Sequence, residues 1–108
     1  MVLVEPEVTL AGYMALHERA AAFGGSDGAA YSCAYYVEDE PDERGRYGGA
    51  LLFIRWSPQG DQPVGHVETD HLAWGRTPEE ARERLGALSL YDVKEALDFA
   101  IQAREERT

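Results

Sequence analysis

The chain has 108 residues, 44% of them hydrophobic and 28% charged, with a formal net charge of −10. That length fits one domain with its own core, since a chain of this size hides roughly two-thirds of its extended surface on folding. Twenty acids against ten bases argue against direct nucleic-acid binding, which needs Lys and Arg to displace counterions from phosphates, and equally against anionic membranes.

No apolar run approaches the roughly 20 residues that a membrane helix needs. The first residues, Met1-Val-Leu-Val-Glu-Pro-Glu7, lack the basic and apolar regions of a signal peptide, so a cytoplasmic location is expected. Nine arginines against one lysine, with abundant Ala and Gly, fit the coding bias of a GC-rich bacterium. Cys33 stands alone, so no intrachain disulfide forms. It lies in an apolar alternating run and is expected as a small buried hydrophobe.

Residues 1–8 are expected as an extended lead-in. Thr9 is placed to cap a helix over about 10–23, where Leu10, Tyr13, Met14, His17 and Ala21 recur at helical spacing. Leu16, Ala20 and Phe23 widen that stripe, and Gly12 weakens it by about 1 kcal/mol relative to Ala. Gly24-Gly25-Ser-Asp-Gly28 then ends the helix.

The first strand is expected over Ala30–Val37, with Tyr31, Cys33, Tyr35 and Val37 on one face. The second runs from Tyr47 to Trp56. Its Leu51-Leu-Phe-Ile54 is the most apolar segment of the chain, which predicts a central strand buried on both faces or nearly so. Glu38-Asp-Glu-Pro-Asp-Glu-Arg-Gly-Arg46 forms a charged hairpin loop between them, and 57–63 a turn. A third, polar strand over Val64–Trp74 suits a sheet edge.

In Trp74-Gly-Arg-Thr-Pro-Glu-Glu-Ala81 the pattern changes from strand to helix. Thr77 caps a second helix over about 78–86, Pro78 fits its first turn, and Glu80 reaches back to the cap. Ser89 caps a third, with Asp92 as partner and Leu88 and Val93 as a hydrophobic staple. Leu90, Val93, Leu97, Ala100 and Ile101 form its apolar stripe, Tyr91 and Phe99 its margins, and 104–108 a fraying tail. The expected fold is α+β: one domain over 1–108, in two layers, a three-stranded antiparallel meander packed with one N-terminal and two C-terminal helices in the order α-β-β-β-α-α.

The meander feeding Gly75-Arg-Thr-Pro-Glu-Glu-Ala81 locally resembles the small domain of HicB-type antitoxins, in which a glycine, a capping threonine and paired glutamates open the helix after the third strand. The resemblance covers roughly 47–86. The N-terminal helix and the last helix depart from that pattern, and no basic DNA-binding extension is present. What it implies is a regulatory binding protein.

Among residues that carry chemistry, His66, Glu68 and Asp70 would project from one face of the third strand, with Thr69 and His71 on the other. An imidazole with two carboxylates suits a divalent metal or acid–base work, although the spacing matches no strong metal motif. A solvated polar edge is the competing reading, and His71 is expected half-buried with one hydrogen bond. The loop acids Glu38, Asp39, Glu40, Asp42 and Glu43 read first as a solvated hairpin tip; as a site they suit a basic partner better than calcium, because a proline stands where a calcium loop needs glycine. Tyr31, Tyr35, Tyr36, Tyr47, Trp56 and Trp74 are many aromatics for one small sheet, and those left exposed would mark a protein interface. Phosphate-binding loop, Gly-x-Ser-x-Gly and Cys-x-x-Cys signatures are missing.

The function expected is a small acidic cytoplasmic protein-binding module, such as a regulator, an antitoxin- or immunity-like protein, or an adaptor. Its partner would be itself, as a homodimer, or a basic protein. The loop acids would supply attraction, and Trp56 and Trp74 the buried contact. No cofactor is expected. The alternative is a small metal-dependent or acid–base enzyme on the His66, Glu68 and Asp70 face.

Overall fold

A computed structural model describes residues 8–107. Eight elements follow in order: α1 (Leu10–His17), β1 (Ala22–Gly24), β2 (Ala30–Val37), β3 (Tyr47–Trp56), β4 (Pro63–Glu68), β5 (Ala73–Gly75), α2 (Pro78–Gly86) and α3 (Leu90–Glu106). The fold is α+β in two layers, and the meander has five strands instead of three. The strand order is β1-β2-β3-β4, all antiparallel, with β5 beside β4 on the same edge of β3. The lead-in expected over 1–8 lies outside the described residues except for Val8.

The first helix is shorter than its periodicity implies. Thr9 caps it, its hydroxyl accepting from the Gly12 amide at 3.0 Å, but the helix ends at Glu18, which adopts a left-handed φ of 52°. Residues 22–24 instead pair with Ser32–Ala30 as β1. Tertiary pairing overrides local propensity here: the Cys33 amide donates to the Ala21 carbonyl at 2.9 Å, and Ala21 and Phe23 join the core cluster. Leu16, expected on the apolar stripe, is exposed. The Gly24–Gly28 run does not stop a helix; it is the turn of the β1–β2 hairpin, closed by the Gly25 amide to the Ala29 carbonyl, with Gly28 at φ +86°.

The third strand is split. Between the pairs Leu52–Glu68 and Gly49–Ala73, the polar edge uses two more residues than β3 does. The surplus sits in the break at 69–72. There the Thr69 hydroxyl accepts from the Leu51 amide at 3.0 Å and donates to the Asp70 carbonyl at 2.7 Å. The side chain takes over ladder bonding where the backbone bulges.

The C-terminal helices form as their caps predict. Thr77 Oγ1 accepts from the Glu80 amide at 3.1 Å, and Ser89 Oγ from the Asp92 amide at 3.0 Å. Glu80 reaches the Arg76 amide, one residue before the cap, at 3.4 Å. The N-terminus is anchored at the α2–α3 junction, where Thr9 and Ser89 form a bridge and the Leu10 amide donates to the Leu88 carbonyl.

All three helices lie on one side of the sheet. That side presents Phe23, Tyr31, Cys33, Tyr35, Leu51, Phe53, Val67 and Ala73 to Leu10, Leu85, Val93, Leu97, Ala100 and Ile101. Tyr91 and Phe99, expected at the margins of the α3 stripe, point outward and are 72% and 70% exposed. The helix runs on to Glu106, through most of the tail expected to fray.

Candidate functional site

Among the described residues, no helix lies over the opposite side of the sheet. Strand alternation and register place Ala30, Ser32, Ala34 and Tyr36 of β2 there, beside Trp56, Ile54, Leu52 and Ala50 of β3. Glu68 and His66 of β4 follow next to Leu52 and Ile54. An antiparallel sheet with one face in water normally alternates apolar-in with polar-out. Here β3 is apolar on both faces, and across β2 and β3 the open side carries no charge. Leu52, Ile54 and Trp56 are half-buried by their neighbours; Ala34 and Tyr36 are exposed. The Trp56 indole N–H donates to Ser32 Oγ at 2.9 Å, which lays its ring along the small residues of β2.

Acids rim this strip. The Glu38 charge, then the phenol's own partial burial and its 3.4 Å hydrogen bond to Glu38, raise the Tyr36 hydroxyl above its ordinary value, with smaller pushes from Asp39 and Glu68. Three carboxylates thus act on one edge of the apolar strip.

The five acids of the 38–46 loop play different parts. Glu38 stands at the strip, its Oε1 3.2 Å from His71 Nε2. Asp42 is an internal brace: it accepts from the Arg46 and Arg44 amides, each at 2.9 Å, and from Arg46 Nε at 3.2 Å, which holds its carboxyl below its usual range. Asp39, Glu40 and Glu43 are exposed, and their side chains make no hydrogen bond or ion pair with another described residue. The two tryptophans are far apart in role as well. Trp56 belongs to the open strip. Trp74 lies at the other end of β3, with the Arg46 guanidinium 5.3 Å from its ring centroid and His71 edge-on at 6.1 Å.

His66 and Glu68 do share the open side, 3.7 Å apart and mostly exposed. Asp70 falls in the break after β4, where alternation no longer governs direction. Among the described residues no group of three His, Cys, Asp or Glu is placed to hold a metal ion. His71 is exposed instead of half-buried, and on the other side from that expected: its ring lies against Gly48 on the open face, so closely that a Cβ at Gly48 would come within 2.5 Å of Nδ1.

Leu52 and Ile54 are expected from the sequence in a strand buried on both faces or nearly so, but the open side leaves them half-buried; Tyr36, one of the sheet aromatics named as interface candidates, is exposed there. The signal was present, because three helices on one side of a meander leave nothing to cover the other. Comparison with protein-family models, curated proteins and solved structures returned no match.

Proposed function

We propose that the chain is a protein-binding module whose open sheet face docks a basic protein. The observation that carries this reading is the uncharged strip of Ala34, Tyr36, Leu52, Ile54 and Trp56, which no described element of the chain covers and which Glu38, Asp39 and Glu68 border. An apolar centre with a charged rim is the usual anatomy of a docking surface. The net charge of −10 favours a basic partner over a second copy, because like charges repel as two copies approach and opposite charges speed encounter.

A photo-cross-linking residue at Ala34 tests this in the host cell, with one at Glu83 on the helical side as control. Ala34 is expected to capture a basic protein, and the capture to vanish with Leu52→Asp and to weaken as salt rises. Cross-links from Ala34 to a second copy of this chain would overturn the basic partner. Equal capture from Ala34 and Glu83 would overturn the face.

A further inference from the structure

Away from the open strip, a cleft of about 580 Å³ lies between the 44–46 segment, β5 and the start of α2. Its walls are Arg44, Arg46, Arg76 and Arg84, with Trp74 and a single carboxylate, Glu80. A chain of net charge −10 has gathered four of its nine arginines around one hollow.

Two of the four are committed. Arg46 pairs with Asp42 and stands over Trp74. Arg84 pairs with Glu80 at 2.9 Å and donates to the Trp74 carbonyl at 2.7 Å. The guanidinium groups of Arg44 and Arg76 have no acceptor among the described residues; their contacts are made by their backbone amides. At the start of α2 the Glu80 amide is already taken by the Thr77 hydroxyl, and the Arg76 amide before the cap by the Glu80 carboxylate.

We infer that this cleft binds a phosphorylated small molecule, with its phosphoryl group held by Arg44 and Arg76 and its organic part against Trp74. Two uncommitted guanidinium forks match the two negative charges and the several acceptor oxygens of a phosphomonoester. The volume falls within the roughly 300–1,000 Å³ of small-molecule sites and exceeds what a bare phosphate fills. A long polyanion is disfavoured, because beyond the cleft it would meet an acidic surface, including Asp39, Glu40 and Glu43.

Titration of the full chain with AMP, inorganic phosphate and adenosine tests the assignment, followed by calorimetry and by Trp74 fluorescence in a Trp56→Phe background. AMP is expected to saturate, adenosine not to bind, and phosphate to bind about tenfold more weakly than AMP. Arg44→Gln combined with Arg76→Gln is expected to weaken AMP about tenfold or more with Tm unchanged, while Arg107→Gln at the end of α3 leaves it alone. Adenosine binding as well as AMP, or a double variant binding like wild type, would overturn the site. Phosphate matching AMP would remove the organic part. Tighter binding of an unphosphorylated tetra-glutamate peptide than of AMP would reassign the cleft to an acidic protein segment. None of these results bears on the open strip, which is on separate residues.

Discussion

Phe53 and Ile54 are neighbours in β3 and nearly equal in hydrophobicity, yet they live in different surroundings. Phe53 is fully buried, edge-on to Phe23 at 6.3 Å and inside the cluster closed by the helices. Ile54 stands half exposed between Ser32 and His66, on the side no described helix reaches. One face of the sheet spends its apolar surface on folding. The other keeps apolar surface in contact with water, where it contributes little to stability.

The sharpest way to break this contrast is to truncate both residues. Phe53→Ala is expected to cost about 3–5 kcal/mol, the range for an aromatic removed from a closed core. Ile54→Ala is expected to cost about 1 kcal/mol, in proportion to the smaller area it hides. Urea unfolding of the two variants measures the difference. Similar losses would mean that the open face is part of the core.

A second contrast concerns backbone approach. Gly75 sits where β5 turns towards α2, and a Cβ there would come within 2.5 Å of the Ala81 amide nitrogen, a backbone atom that cannot swing away. Gly24, at the far edge of the sheet, has nothing within 4 Å of the same position. Gly75→Ala is therefore expected to destabilise by about 1–3 kcal/mol, as overpacking does, and Gly24→Ala by far less. Thermal melts of the pair check this.

The covered side also has an electrostatic clasp. Burial alone would raise Asp27, but hydrogen bonds from the Tyr31 hydroxyl at 2.7 Å, the Ala29 amide at 3.1 Å and Arg55 at 3.3 Å outweigh it, and its carboxyl lies below the ordinary value. A carboxylate held down in the folded state adds stability that is fully present above its unfolded value, near 3.8. That contribution is lost as pH falls through the lower folded value. Asp27→Asn is thus expected to lower stability at neutral pH and to flatten the acid limb below about pH 3.8. Stability measured against pH for both proteins decides it; parallel acid limbs would show that the clasp is silent.

Much of this fold is legible in the chain. Thr77, Pro78 and Ser89 mark helix starts through local hydrogen bonds, and those signals need no tertiary context. The central place of β3 follows from its uninterrupted apolar run. What escapes is decided by distant partners. Residues 18–23 have a helical pattern, but β2 offers 22–24 a ladder to join. The break at 69–72 depends on the Thr69 side chain meeting the Leu51 amide, 18 positions away in sequence. The arginine cleft joins residues 44–46 to 74–84, and neither segment holds a phosphate-binding motif. The open strip is hidden for another reason: an apolar residue in a strand announces burial, and only the count of covering elements says which face is left uncovered.

Cysteine chemistry sharpens the comparison of the two faces with almost no energetic disturbance. Cys33 points to the covered side, and burial pushes its thiol up to about 12. It is therefore neutral and shielded at neutral and mildly alkaline pH, and a disulfide reagent is expected to reach it only through unfolding. Ala34, next along β2, is exposed on the open side. Ala34→Cys adds one small atom there and leaves a thiol near the free value of about 8.5. At mildly alkaline pH the introduced thiol is expected to react within the mixing time of a conventional assay, and Cys33 at a rate that tracks denaturant concentration. Fast reaction at Cys33 in the native protein would mean that the helical layer opens readily. Protection of the introduced thiol in the Ala34→Cys variant, with fast reaction restored on dilution, would mean that a second copy covers the strip and that self-association, not a basic protein, occupies it.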